Sequence, residues 1–359
     1  MCLFVCLYVL FKFLFLIFVF ISLCLGGDDT SSHITQHDQA EVTHRYQNPG
    51  QYVIHLNGIV DGLSFKHASR TTKQQILDIS QWGCTLLLSN EGSQFQNCIN
   101  LLGSAVDTPQ LGHISDMSLM FYGCKHFSMD VSKWQTETAT NMRHLFHGCF
   151  ALDCDFSDWD TSHVTDFSYM FYCCTSFNGN ISNFKTENVT NMSFMFHNCT
   201  KFQGNQEMSQ WDTSRVISME SMFYCCGEFN GNLDEWNLEH VKNTSYMFYD
   251  AAKFKGDLSQ WNTSSILSMR NMFYSALVFN GDISRWNTAS CMDMYGLLSG
   301  AVSFNRDISD WNTQGVLDSY SVPTQSKKRT SIYRHLDGGK VALLTGIVLI
   351  YPYLSDLVK

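Results

Sequence analysis

One dipeptide recurs along this chain at a fixed interval. From Met170-Phe171, steps of 25 residues reach Met120-Phe121, Leu145-Phe146 and Met195-Phe196. A single step of 27 leads to Met222-Phe223, and further steps of 25 reach Met247-Phe248, Met272-Phe273 and Leu297-Leu298. Such a period marks a repeat architecture, in which one unit cannot bury its apolar face alone and stacking on its neighbours completes the core. A residue in a repeated position therefore has to be explained first as scaffold.

Aligning the units turns each position into a column. One apolar column runs Ile114, Ala139, Val164, Val189, Val216, Val241, Ile266, Cys291, and three residues on stand Met117, Met142, Phe167, Met192, Met219, Thr244, Met269, Met294. Three further on is the Met-Phe pair, and four after its Met come Cys124, Cys149, Cys174, Cys199, Cys226, Ala251, Ala276, Ala301. Spacings of 3, 3 and 4 fit one helical face. Just before the second column lie Asp116, Asn141, Asp166, Asn191, Ser218, Asn243, Ser268 and Asp293, all preferred N-cap residues, so a short helix of about two to three turns is expected to start there. A Phe column and, two residues later, Gly179, Gly204, Gly231, Gly256 and Gly281 predict a turn, with Met129, Cys154 and Arg306 interrupting the glycines. The segment I-S-x-W-[DN]-T, with Trp134, Trp159, Trp211, Trp236, Trp261, Trp286 and Trp311 and Phe184 in the series, predicts a short strand pairing in parallel with its copies. The expected fold class is an α/β repeat solenoid, leucine-rich-repeat-like, with one short parallel strand plus one short helix per 25-residue unit. The additional Gln206-Glu207 is expected to bulge from a turn without shifting the register.

The chain has 359 residues, 45% of them hydrophobic, enough for a large buried core. Its formal net charge of -10 argues against binding a phosphate backbone, so no nucleic-acid partner is expected. Residues 1–25 are apolar apart from Lys12 and Ser22, and Gly26-Gly27-Asp28-Asp29 follow, so residues 1–27 read as a signal peptide or a signal anchor, with cleavage and anchoring both open. Residues 28–52 read as a polar linker. Residues 53–111 lie off the strict repeat yet carry Trp82, Phe95, Cys98 and Leu101 in its order, which reads as the N-terminal capping region. Residues 112–320 hold the repeat proper, about eight units. Residues 321–359 combine a basic stretch opened by Lys327-Lys328-Arg329 with an apolar run over 341–354, which fits a membrane contact and a capping role equally.

The recurring W-[DN]-T-S-x-V-T-x-M-S-x-M-F-x-x-C-x-x-F-N-G-[DN]-I-S-x-W, spanning 76–313, resembles the repeat of the BspA-like leucine-rich-repeat surface proteins. Phe184 for Trp, Thr244 for Met and Leu297-Leu298 for Met-Phe depart from it. The resemblance implies an exported surface protein, secreted or held at the cell surface, linked to adhesion and partner binding. The function expected is a non-catalytic recognition or adhesion scaffold. The alternative is a purely structural cell-surface or matrix protein without a specific ligand. The expected partner is a protein or glycan, and the membrane itself where the N-terminal segment stays uncleaved.

Chemistry-bearing residues fall mostly into columns. Of the 14 cysteines, five share one interior column with alanines and read as small buried hydrophobes. Stacked helices stand about 8–10 Å apart, whereas a disulfide needs Cα atoms within about 7 Å. Cys154, Cys173 and Cys225 are the freer thiols. Neither a C-x-x-C pair nor an H-E-x-x-H motif is present among these cysteines and the 13 histidines, so no metal, cofactor or catalytic residue is expected. Among the sequons at Asn180, Asn188, Asn191, Asn198, Asn243 and Asn262, Asn188 and Asn198 have no evident column duty. Two columns are candidates for a binding surface. The residue before each Trp varies as Lys133, Asp158, Asn183, Gln210, Glu235, Gln260, Arg285, Asp310, with Glu235, Gln260 and Arg285 in the central units. The aromatic after each Met-Phe pair runs Tyr122, His147, Tyr172, His197, Tyr224, Tyr249, Tyr274; flank packing is its plainer reading, and recognition through Tyr224, Tyr249 and Tyr274 its sharper one.

Overall fold

The computed structural model describes residues 60–317 throughout, together with the short strands Val5–Cys6, Ile21–Leu25, Ser31–Ile34, Thr43–His44 and Ile54–Asn57. Ile21–Leu25 pairs antiparallel with both Ser31–Ile34 and Ile54–Asn57, and Val5–Cys6 with Thr43–His44. The rest of the segments expected at 1–27 and 28–52, and the whole of 321–359, lie outside the described residues.

From residue 60 onward the chain is built by parallel pairing of each turn of chain with the next. Val60–Leu63 pairs in parallel with Leu86–Leu88, and Leu87 bridges Gln110. The short helix Arg70–Gln75 lies between them, capped by Ser69, whose hydroxyl accepts from the Thr72 amide at 3.1 Å. The segment around Phe95 is already in register with the repeat: its amide donates to the Met120 carbonyl at 2.9 Å, and its ring stacks on Phe121 at 5.4 Å. Parallel bridges then run without a gap through Asp116, Asn141, Asp166, Asn191, Ser218, Asn243, Ser268 and Asp293.

Local structure within a unit differs from the expected strand and helix. After Asp116 the amides alternate. Those of Met117, Leu119, Phe121 and Gly123 donate to Asn141, Arg143, Leu145 and His147 of the next unit at 3.0, 3.0, 2.9 and 2.7 Å. Those of Met120, Tyr122 and Cys124 bond within the unit, to Met117, Leu119 and Phe121 at 3.3, 3.1 and 3.0 Å. An α-helix would use all of these amides internally and leave none for the neighbour. The segment is instead a run of three-residue turns, which meets the spacing of 3, 3 and 4 as well as a helical face does. The column read as helix N-caps closes turns: Asp116 Oδ1 accepts from Ser118 N at 2.9 Å and Asn243 Oδ1 from Ser245 N at 2.9 Å. This is the local side-chain bond by which Asp and Asn compete with helix formation. The parallel pairing also falls on this column, while Ile-Ser-x-Trp forms a turn, as in Trp159 N to Phe156 O at 3.1 Å.

Alternating amides require the backbone to reverse, and two columns do so with positive φ. Leu119, His144, Tyr169 and Phe194 lie at φ 57, 56, 59 and 60°. Four residues on, Gly123 and Gly148 share φ 73°, while Cys173, Asn198, Cys225 and Asp250 hold the same left-handed geometry at 58, 59, 54 and 53°. Non-glycine residues adopt it at a cost, which the inter-unit bonds offset.

Side chains stack as the backbone does. Phe196, Phe223, Phe248 and Phe273 form a ladder with centroids 5.7, 5.7 and 5.5 Å apart. Trp211, Trp236, Trp261, Trp286 and Trp311 follow at 6.1, 6.4, 6.1 and 6.2 Å, with planes within 8° of parallel. The Trp236 indole N–H donates to Met208 O at 2.7 Å and that of Trp261 to Leu233 O at 2.8 Å, so these tryptophans, with Trp159, Trp286 and Trp311, also tie their units to the preceding ones. Buried thiols do the same: Cys174 Sγ donates to Phe146 O at 3.0 Å and Cys199 Sγ to Phe171 O at 2.9 Å. All eleven cysteines of 60–317 are free. The 27-residue unit takes up its two extra residues in the 3-10 helix Gln206–Gln210, and the ladder resumes with Met192 N to Ser218 O at 3.0 Å. Its Trp211 indole N–H is left buried without an acceptor.

Candidate recognition surface

The column before the tryptophans is solvent-exposed at every member from Lys133 to Asp310. Its backbone is fixed from beneath by side-chain turns: Asn232 Oδ1 accepts from Asp234 N at 3.2 Å, Asp257 Oδ1 from Ser259 N at 2.9 Å and Asp282 Oδ1 from Ser284 N at 3.0 Å. Glu235, Gln260 and Arg285 therefore stand on a rigid line, one side chain per unit. Lys133 and Asp158 form an ion pair along it. Exposed pairs of this kind add little stability.

The tyrosine column is a different kind of surface. Tyr122, His147, Tyr172, His197, Tyr224, Tyr249 and Tyr274 form one uninterrupted stack with centroids 4.3 to 4.6 Å apart. All seven are half-buried. Each ring covers the faces of its neighbours, and the His197 Nδ1 is itself buried. A sugar or aromatic ligand has no ring face there to stack on. A second stripe runs beside it and was not legible in the sequence: His144 on Tyr169 at 4.4 Å and Tyr169 on Phe194 at 4.5 Å, with Tyr246 further along. Its column begins with Leu119 and includes Ser221 and Asn271, which hides the aromatic trend; three-residue spacing from the tyrosine column was the available signal. Arg270 anchors the far end, its guanidinium 4.3 Å over Tyr295, donating to Tyr246 Oη at 3.3 Å and to Asp293 Oδ2 at 3.2 Å.

The two candidate columns do not converge. Between Tyr249 and Gln260 the chain passes through Ala251, Phe254 and Leu258, all fully buried, so the columns form two surfaces. Of the sequons, Asn180, Asn191, Asn243 and Asn262 have the structural duty expected of their columns, each Oδ1 accepting from the amide two residues on. Asn188 donates to Ser162 O at 2.8 Å and accepts from Arg215 at 2.8 Å, and Asn198 is half-buried in left-handed backbone, so both have structural duties; Asn180 and Asn262 are exposed.

Burial sets the protonation of the aromatic face. It pushes His147 and His197 down to about 3, with His144 and His197 adding to the effect on His147; it pushes His144 down to about 4, assisted by the Arg143 charge and opposed by Asp166. The Tyr172 phenol is pushed up to about 12, by burial first and the neighbouring Cys173 second. A folded-state pKa below the unfolded value means that the unfolded chain binds protons first as pH falls. The histidine contribution to stability is thus complete above the ordinary imidazole value of 6.5 and is lost as pH falls from there toward 4 and 3. We expect the melting temperature to fall over that interval, and a His147→Tyr/His197→Tyr variant, carrying the column's other residue, to lose less. Equal losses in the two proteins would show that these imidazoles do not carry the effect.

Among the described residues no group of three His, Cys, Asp or Glu side chains comes together as a metal site, and no helix is long and apolar enough to cross a membrane. One family model, described as "Mycoplasma protein of unknown function, DUF285", matches residues 90–206, 180–276 and 256–330. No curated protein and no solved structure matches the chain.

Proposed function

The chain belongs to the DUF285 family, and on that premise we propose that it is a non-catalytic recognition or adhesion scaffold, a repeat solenoid displayed outside the cell. The solenoid in this reading keeps the stacked units of the sequence expectation and replaces its helix by turns. The finer likeness to BspA-like leucine-rich-repeat surface proteins, carried by the W-[DN]-T-S copies, belongs to the same proposal. The observation that carries it is the exposed column from Lys133 to Asp310, which varies in charge and polarity directly beside a buried column that is tryptophan at every unit but Phe184. A repeated buried frame carrying a variable exposed line suits a protein or glycan ligand bound by several units at once. The unbroken aromatic stacks favour the second reading, a structural surface protein whose units supply only cohesion.

The full chain used as bait against surface proteins of its own cell and against a glycan array tests the ligand. Glu235→Ala with Gln260→Ala should then weaken the captured partner while leaving stability within about 0.5 kcal/mol; undiminished binding places the contact elsewhere. Export through residues 1–27 is part of the proposal. Protease applied to intact cells should degrade the protein, and full protection rules a surface location out.

A further inference from the structure

The aromatic column changes character at Tyr224. Before it, histidines alternate with tyrosines, so Tyr122 and Tyr172 are not in contact with another tyrosine of their own column. From Tyr224 three tyrosines follow one another: Tyr224 and Tyr249 stand 4.6 Å apart with planes 9° from parallel, and Tyr249 and Tyr274 4.6 Å apart at 4°. That separation is close to the one between two directly bonded six-membered rings. Other tyrosine pairs are farther and tilted, Tyr169 with Tyr172 at 5.7 Å and 40°, Tyr246 with Tyr249 at 6.0 Å and 44°. All three stacked tyrosines are half-exposed.

We propose that Tyr224, Tyr249 and Tyr274 form an oxidative cross-linking site, at which a peroxidase with hydrogen peroxide joins Tyr249 covalently to Tyr224 or to Tyr274. Each phenol gives up one electron and its phenolic proton. Hydrogen peroxide accepts both electrons and both protons, its O–O bond breaks, and two waters leave. The two phenoxyl radicals form a carbon–carbon bond between ring positions ortho to the oxygens. The hydrogens on those carbons pass as protons to the two oxygens, which restores both phenols, and the protein is lighter by two hydrogens. Burial, with Cys225, Tyr249 and Asp250 nearby, raises the Tyr224 pKa, so the phenol is protonated at neutral pH and oxidation releases its proton. Ring placement by the stack makes the coupling intramolecular, and prior positioning of this kind outcompetes encounters between molecules. The bond would fasten one unit to the next through side chains, beyond the backbone bonds already there. The Cys225 thiol, next to Tyr224 and 3.9 Å from Asp250 Oδ2, is the competing reductant.

The test is the full-length protein treated with a haem peroxidase and limiting hydrogen peroxide. The expected product is monomeric, lighter by two hydrogens, fluorescent as dityrosine, and yields on digestion a peptide joining Tyr249 to Tyr224 or Tyr274. Tyr249→Phe preserves the ring in the stack and removes both pairs, so the yield should fall at least about tenfold. Tyr224→Phe and Tyr274→Phe each leave one pair and should still couple, and Tyr172→Phe should match the unaltered protein. Coupling that survives Tyr249→Phe, a product made of cross-linked dimers, or oxidation that ends at Cys225 without a tyrosine–tyrosine bond would each overturn the proposal.

Discussion

Replacing Trp236 by alanine should cost about 3–5 kcal/mol, the range for removing a large buried aromatic side chain. Trp236 is 2% exposed, stacked between Trp211 and Trp261, and its indole N–H is bonded to Met208 O. Alanine removes both ring contacts and leaves that carbonyl without its donor. In a stack where each unit touches only its neighbours, the damage should stay local at first. Hydrogen exchange should therefore quicken at the amides of Phe223 and Phe248, which bridge this region, before it does at Phe121. Trp236→Phe should be milder. It reproduces the residue found at Phe184, keeps a stacked ring, and gives up one hydrogen bond worth about 1 kcal/mol. A loss for Trp236→Ala no greater than for Trp236→Phe would mean that stacking between units contributes little, and the cohesion would have to be assigned to the backbone alone.

Gly179→Ala should destabilise through the opposite fault, an added atom with no room. A methyl there would stand 1.7 Å from the carbonyl oxygen of Cys154 and 2.9 Å from the Phe177 ring. Cys154 occupies the same column one unit earlier, so the obstacle is the neighbouring unit's backbone and no side-chain rotation relieves it. Overpacking costs about 1–3 kcal/mol in ordinary cores, and this case belongs at the upper end. The Phe156 amide, which donates to Asn180 O at 2.8 Å, should lose exchange protection along with the fall in denaturation midpoint. Gly227→Ala is the control, since a methyl there meets nothing within 4 Å. If both variants keep the midpoint, the units can slide apart at the turn and the close packing between them is not a constraint.

The unaided sequence revealed columns better than it revealed backbone. The Met, Phe, Cys and Trp columns were assigned to the interior, and those of the central units are all buried. Conformation was the harder part. Turns of three residues repeat apolar positions at the spacing of a short helix, and Asp116 or Asn243 fits a turn closure as well as a helix cap. What decides between them is the destination of alternate amides, which is a property of the neighbouring unit. Positive φ was visible only where the column holds Gly123, Gly148 and Gly300, and invisible at Cys173 or Asp250. Of the candidate surfaces, Glu235, Gln260 and Arg285 are exposed as a variable column suggests, whereas Tyr224, Tyr249 and Tyr274 are stacked face to face, which no single-column reading conveys.

The alternating amides also bear on how such a chain changes over generations. Every unit offers the next the same donors and acceptors at the same positions, from Met117 with Asn141 to Met269 with Asp293. Duplication or deletion of a whole 25-residue block therefore regenerates an identical joint, while a frame-preserving change of any other length must be absorbed at a turn, as Gln206–Gln210 absorbs two residues. Copy number is the mutable quantity in this design, and alleles differing by whole blocks should remain foldable where small insertions between the paired amides, away from a turn, do not.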